Sequence, residues 1–388
     1  MIDIEILNKL NAPTKEERLE NLKQIVAKTE FPPVVPRYIN NHIHTIYSFS
    51  PYSPTAAVFA SRMEGLSTAG IIDHDSISGA REFIEAAKIA GIPSTIGMEC
   101  RASMDGTTME GRALNNPDQP GISYMTIQSV PHDKIDEVNE FFRPYRRLRG
   151  ERNRKMIAKI NDLLGMNLDY EKDVLPLSMA HEEGGVTERH LLFALAKKMV
   201  ADVGKGQPMV DYLSSIGVSL NDKQKAQMLD TEYPFYEYDL LSILKGEFVP
   251  KFFIRATDEC PKLKDLVDLC NRVDALLCYA YLGDVTSSVT GDKKAAKYED
   301  DYLEEVLQCL KDNGVPAVTY MPTRNTPEQL ERLRKLCDEY GLFQVSGEDI
   351  NGPRQSFVIK AMDNPTFANL IDATWKLIDH ENKGAKIV

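Results

Sequence analysis

The chain has 388 residues, enough for one large domain or two of ordinary size around a sizeable core. Hydrophobic residues make up 43% and charged residues 27%, as in soluble globular proteins, and the formal net charge of −12 argues against wholesale nucleic-acid binding, leaving only a local basic patch for such a role. No apolar run approaches bilayer length, and "MIDIEILNKLNAPTKEERLENLKQ" lacks the basic-then-apolar order of a signal peptide, so neither a membrane partner nor export is expected.

Residues 1–37 read as a helical extension, with Leu19, Leu22, Ile25 and Val26 on one helix face. From 38 to 134 strands and helices alternate. "RYINNHIHT" is a strand, "SPTAAVFASRMEG" a helix opened by Ser53 and Pro54, "TAGIID" a strand, "SGAREFIEAAKIAG" a helix ended by Gly91, and "IPSTIGMEC" a strand. Residues 101–131 look like a hairpin-rich elaboration with a strand at "GISYMTIQSV". Residues 135–250 turn wholly helical, with "RNRKMIAKINDLLGMN" and "TERHLLFALAKKMVADVG" as examples, and alternation returns over 251–388. Such alternation implies a parallel sheet or α/β barrel, here interrupted by a helical insertion. The six cysteines are scattered without a CxxC pair and read as reduced thiols of a cytoplasmic protein.

Residues two apart on a strand share a face, so His42 and His44 project together from the end of the first strand, where α/β barrels carry their chemistry. Later strands end in Asp73, His74 and Asp75, in Glu99, and in Glu348 and Asp349. Mixed imidazole and carboxylate groups suit Zn²⁺, Mn²⁺ or Fe²⁺ better than Ca²⁺ or a thiolate site.

"HIHTIYSFSPYSP", "GIIDHDSISGA" and "IGMEC", in this order, resemble the opening of a PHP (polymerase and histidinol phosphatase) domain. "VTERHLLFALAKKM" is similar to the insertion motif of its nucleotide-phosphoesterase branch, and "VSGEDINGP" resembles that branch's closing turn. The resemblance implies a distorted seven-stranded barrel and up to three divalent metals. It implies one metal held by His42, His44, Glu99 and Asp349, all present. Ligands of the other two are replaced: an acid around Phe49 or Ser50, and histidines at Ser123 or Tyr124, at about Tyr281, and at Asn351. One well-formed divalent metal site is therefore expected rather than three.

The reaction this implies is hydrolysis of a small phosphorylated or anionic substrate by metal-activated water. Asp73 or His74 is the expected general base, His190 a proton donor to the leaving group, and Arg189, Arg324 and Arg354 the anion-binding residues. His181 could refill a lost ligand position, while His132 and His380 read as ordinary surface or loop residues. The span from Arg143 to Lys159, which opens with "RPYRRLRGERNRK", carries eight basic residues against a single acid, Glu151; it is either a solvated helix face or a device that steers a polyanion. The alternative to an enzyme is a degenerate barrel that binds a metal or ligand in a regulatory role. Substrate, metal and oligomeric state are not legible in the sequence.

Overall fold

The structure, a computed structural model, describes residues 3–284 and 297–387. Two helices open the chain, α1 (Ile4–Leu10), capped by Asp3, and α2 (Lys15–Val26), opened by a Thr14–Glu17 capping box. Helix α2 buries Leu19 and Leu22, while Ile25 and Val26 are only half-buried. It also buries Arg18, which forks onto Glu82 at 2.6 and 2.9 Å.

The central layer then builds in chain order: β1 (Val35–Ile43), α3 (Pro54–Met63), β2 (Leu66–His74), α4 (Ala80–Ala90), β3 (Ser94–Ser103) and β4 (Ile122–Gln128). The helices begin and end where capping chemistry predicts. Ser53 accepts the Ala56 N–H before Pro54, and Gly91 closes α4 in the left-handed conformation that glycine adopts without strain. Helices α5 (Ile135–Leu164), α6 (Glu188–Val203), α7 (Gln207–Ser215), α8 (Asp222–Leu229) and α9 (Tyr236–Phe252) follow without a strand. The layer resumes with α10 (Leu263–Val273), β5 (Leu276–Ala280), α11 (Leu303–Asp312), β6 (Ala317–Tyr320), α12 (Pro327–Tyr340) and β7 (Phe343–Ser346), and α13 (Ala368–Lys383) closes it.

The strands form one seven-stranded sheet in sequence order, curled into a half-barrel. Beyond β7, a single parallel bridge, Ile43–Ile350, ties its end back to β1. The expectation of a parallel sheet needs one correction: β4 pairs antiparallel with both β3 and β5. Strand β3 also runs on past Glu99 to Ser103, so Glu99 sits mid-strand, opposite His74 on one side and Thr126 on the other.

Apolar side chains gather in two large groups. One lies around the sheet, and the other joins α5, α6 and α9 through Met156, Leu191, Leu195, Leu240 and Leu244. All six cysteines are buried and free. No helix among the described residues is long and apolar enough to cross a membrane.

Candidate metal centre

Four segments deliver the site. His42 lies at the end of β1 with His44 just beyond it, His74 ends β2, Glu99 lies within β3, and Asp349 follows β7 by three residues. The closing turn must pass close to β1: Gly347 leaves no room for a side chain, since a Cβ there would stand 2.6 Å from that of His42. The backbone then locks Asp349 in place, with His44 N donating to Ile350 O at 2.9 Å and Ile350 N to His42 O at 3.1 Å.

His42, His44 and Asp349 form one group of ligand atoms and His44, His74 and Glu99 another, sharing His44. His44 Nε2 lies 3.1 Å from Asp349 Oδ1 and 3.5 Å from Glu99 Oε2. Glu99 Oε2 is also 3.3 Å from His42 Nε2 and 3.4 Å from His74 Nδ1. Ligand atoms held about 2.1 Å from one ion, in tetrahedral or octahedral array, lie roughly 3.0–3.4 Å apart. The observed separations match that spacing. His44 Nε2 is also fully buried and makes no aligned hydrogen bond, near as its neighbours are. Such an atom is costly to bury unless it has a partner. The residues therefore fit a divalent cation, whose identity the donor set leaves open among Zn²⁺, Mn²⁺ and Fe²⁺.

The tautomer follows from the opposite side of the ring. Ser48 Oγ donates its one proton to Asp73 Oδ1 at 2.6 Å, so at 3.2 Å it accepts from His44 Nδ1–H. That leaves a lone pair on Nε2, facing the carboxylates, as metal-binding histidines require. Asp73 also accepts from Thr45 N and Thr45 Oγ1, both at 2.6 Å. It is buried and outside the cleft lining, and through Ser48 it is placed to orient His44. His74, the other candidate base, lies within the group of possible ligands, its ring stacked on His44 at 4.6 Å.

Burial and charge set the protonation states. Burial alone would raise Glu99, but His74, His42 and His44 outweigh it and hold the carboxyl down to about 2. Burial pushes His74 down to about 4, so its imidazole is neutral at physiological pH. Burial also opposes charge on His44, yet Asp349 and Glu99 overcome it and raise the ring above its ordinary value. Asp349 is held well below the carboxylate range, chiefly by His44 against the opposing effect of burial.

The centre opens into a cleft of about 700 Å³. Arg189 lines it, half-buried, and pairs with no carboxylate within 4 Å among the described residues. The other expected site residues lie elsewhere. His190 is buried and spends Nδ1 accepting the Thr187 N–H in a capping box, with Phe49 edge-on at 5.1 Å. It is absent from the cleft lining. Arg354 forks onto buried Asp239 at 2.7 and 2.8 Å, and Arg324 Nε donates to Leu282 O at 3.0 Å; neither lines the cleft. His181 is exposed beside Glu182 and refills no ligand position. His380, expected at the surface, is buried, with its nitrogens 2.7 Å from Ala385 O and 2.6 Å from Asp274 O.

The replaced ligand positions still surround the centre. Tyr124 and Tyr281 line the cleft as protonated phenols, raised chiefly by burial; Tyr281 donates to Asp300 at 2.6 Å. Asn351 donates to Asp349 Oδ1 at 2.6 Å, bracing the carboxylate that the neighbouring histidine approaches. Phe49 has turned into the helical core instead.

One residue of the site was missed. Arg149 lines the cleft and pairs with Asp75 and Glu188. Its signal was present: Val138, Phe142, Arg149, Arg152, Met156 and Ile160 are all buried along α5, so two arginines stand within an apolar stripe.

No protein-family model matches the chain, and no curated protein matches it. Among solved structures, a candidate metal-dependent phosphoesterase from Bifidobacterium adolescentis is 17% identical with a TM-score of 0.54, over 88% of this chain and 98% of that one. An amidohydrolase from Chromobacterium violaceum, solved with bound sulfate and no metal, is 14% identical with a TM-score of 0.55, over 83% and 89%. At such identity the likeness is one of fold.

Proposed function

We propose that the chain is a metal-dependent hydrolase, of PHP type, that cleaves a phosphate ester of a small anionic metabolite or nucleotide. The observation that carries this reading is the buried Nε2 of His44, without an aligned hydrogen bond, gathered with His42, His74, Glu99 and Asp349 beside a cleft lined by Arg149 and Arg189. The phosphoesterase-like fold neighbour is in keeping with it. A divalent ion held by these residues would supply Lewis-acid polarisation and an acidified water. The chain's own contribution is to fix His44 through Ser48 and Asp73, to brace Asp349 through Asn351, and to offer Arg189 to a bidentate oxyanion. Protonated Tyr124 can donate to the same anion. The test is metal analysis of purified protein, followed by a phosphate-ester panel with Mn²⁺ or Zn²⁺ and the His42→Ala and Asp349→Ala variants. Stoichiometric metal and hydrolysis lost in both variants support the reading; a metal-free protein that added metal leaves inactive would end it.

A second reading rests on the replaced positions. Phe49 packs in the helical core and Tyr281 is spent on Asp300, so the barrel could bind a metal or ligand in a regulatory role without turnover. Thermal stabilisation by metal or anion, with no product formed, would favour it.

A further inference from the structure

A second concavity of about 340 Å³ lies on α5, outside the cleft. It is lined by Arg143, Arg146, Arg147 and Arg154 with one carboxylate, Glu183, on a protein whose net charge is −12. The strap from Glu182 to Gly185 contributes Glu183 and Gly184 to this lining. Ser76 Oγ donates to Glu183 O at 2.8 Å and Gly185 N to Tyr47 O at 2.7 Å. Gly185 lies so close beneath His74 that a Cβ would stand 2.2 Å from its carbonyl oxygen.

The arginines are not equally satisfied. Arg143 reaches Glu183 and Glu140, Arg147 pairs with Glu151 one turn away, and Arg154 donates to Glu171 at 2.6 Å. The partners Glu140, Glu151 and Glu171 are exposed and lie outside the lining, and surface pairs of this kind are weak and exchangeable. Arg146 differs. Its side chain is 10% exposed and donates only to two backbone carbonyls, Asp75 O at 3.0 Å and Asn139 O at 3.2 Å, with Glu183 no nearer than 3.9 Å. Burial without a close carboxylate lowers its pKa, a sign of positive charge left unmatched at the pocket floor. Gly150 also lines the pocket, and a Cβ there would make only ordinary contacts, 3.5 Å from Tyr170 Oη and 3.7 Å from the Arg154 guanidinium.

We propose that this arginine-lined pocket is a second, separate binding site for a small multiply charged oxyanion of the phosphate or diphosphate class. Planar guanidinium groups converging from successive turns of one helix present paired donors to tetrahedral oxyanions, which single exposed carboxylates cannot match. A small ligand is favoured over a nucleic acid because the arginines enclose a concavity beside Tyr170 and the strap rather than a continuous basic face.

The test is calorimetric titration of the full chain, as purified, with methylenediphosphonate, which is not hydrolysed. Saturable binding is expected, weakened by about tenfold or more in the surface variant Arg147→Gln/Arg154→Gln, and kept within about twofold in Arg189→Gln, which alters the cleft alone. Circular dichroism and metal content should match the parent in both variants. Absence of saturable binding, unaltered affinity in the double variant, or an equal or greater loss in Arg189→Gln would overturn the proposal. None of these readings uses turnover, so the outcome stands apart from that of the hydrolase assay.

Discussion

Two groups of charged side chains contribute to the cleft lining, and they are arranged differently. Between α5, α6 and β3, Arg101, Arg149 and Arg152 meet Asp75, Glu188 and Glu259, three cations against three anions. Each guanidinium finds a carboxylate directly. At the ends of the strands, imidazoles and carboxylates crowd as closely; His42 Nε2 lies within hydrogen-bond reach of Glu99 Oε2 at 3.3 Å, while His44 Nε2 makes no aligned bond although Asp349 Oδ1 is 3.1 Å away. The first arrangement pairs its charges among themselves, though Arg101, Arg149 and Arg152 each keep a buried Nε without a hydrogen bond. The second gathers groups that fit a cation.

The sharpest way to break this comparison is to disturb the side whose charges pair among themselves. Glu259 is buried between Arg101 and Arg152, whose side chains are each 6% exposed. Glu259→Gln strands positive charge in a dry site and should cost about 3–5 kcal/mol in urea unfolding, with metal content per folded chain unchanged. A cost below about 1 kcal/mol would show that water reaches the network and that it is not the structural half.

The converse change is His44→Ala, which removes the ring common to both ligand groups. Metal affinity should fall by more than about a hundredfold while the fold persists. The same ring gives a pH signature. Its pKa is raised, because Asp349 and Glu99 overcome the opposing effect of burial, so protons compete with the metal. Affinity should therefore be full above that raised value and fall as pH drops through it, beginning above the ordinary imidazole range near 6.5. Glu99, held to about 2, and His74, held to about 4, add no proton competition between pH 5 and 8. Metal binding independent of pH over that interval would mean that His44 is not a ligand.

How much of this was legible in the sequence differs between the two sides. Strand periodicity pairs His42 with His44 on one face, but the set of four with Glu99 and Asp349 came from the motif resemblance, and Glu99 lies mid-strand rather than at a strand end. The antiparallel turn of β4 was hidden, because a buried strand reads alike in either direction. The fate of the arginines was hidden for a different reason. A basic run on a helix says nothing of which members point inward, and only the apolar neighbours of Arg149 and Arg152 in the stripe mark them as buried. His190 was open in the same way: a histidine three residues into a helix serves the N-terminus as readily as a substrate, and here its Nδ1 accepts the Thr187 N–H.

A smaller change tests the link between ligand and support. Asp73 anchors Ser48, which anchors His44 Nδ1. Asp73→Asn keeps the volume but presents an amide where Thr45 N, Thr45 Oγ1 and Ser48 Oγ all donate. The expected loss in metal affinity is about tenfold, the lower end for partners that orient a ligating histidine. If Asp73 were instead the general base, metal affinity would hold and the rate alone would collapse.

The smallest expected effect separates an arginine that supports the fold from one that meets substrate. Arg354 follows the closing turn, the position that made it a candidate for anion binding, yet it holds Asp239 with two bonds and lies over the Tyr233 ring at 3.9 Å. Asp239 is buried, and it also accepts from Gln227 at 3.2 Å, so it keeps one neutral partner when the guanidinium is removed. The Arg354 side chain is 45% exposed, which lets water replace part of what it gives. Arg354→Gln should therefore lower stability by about 1 kcal/mol, and leave both metal content and the KM of any hydrolysed ester unchanged. A rise in KM with the melting temperature unmoved would put Arg354 on the functional side of the comparison after all.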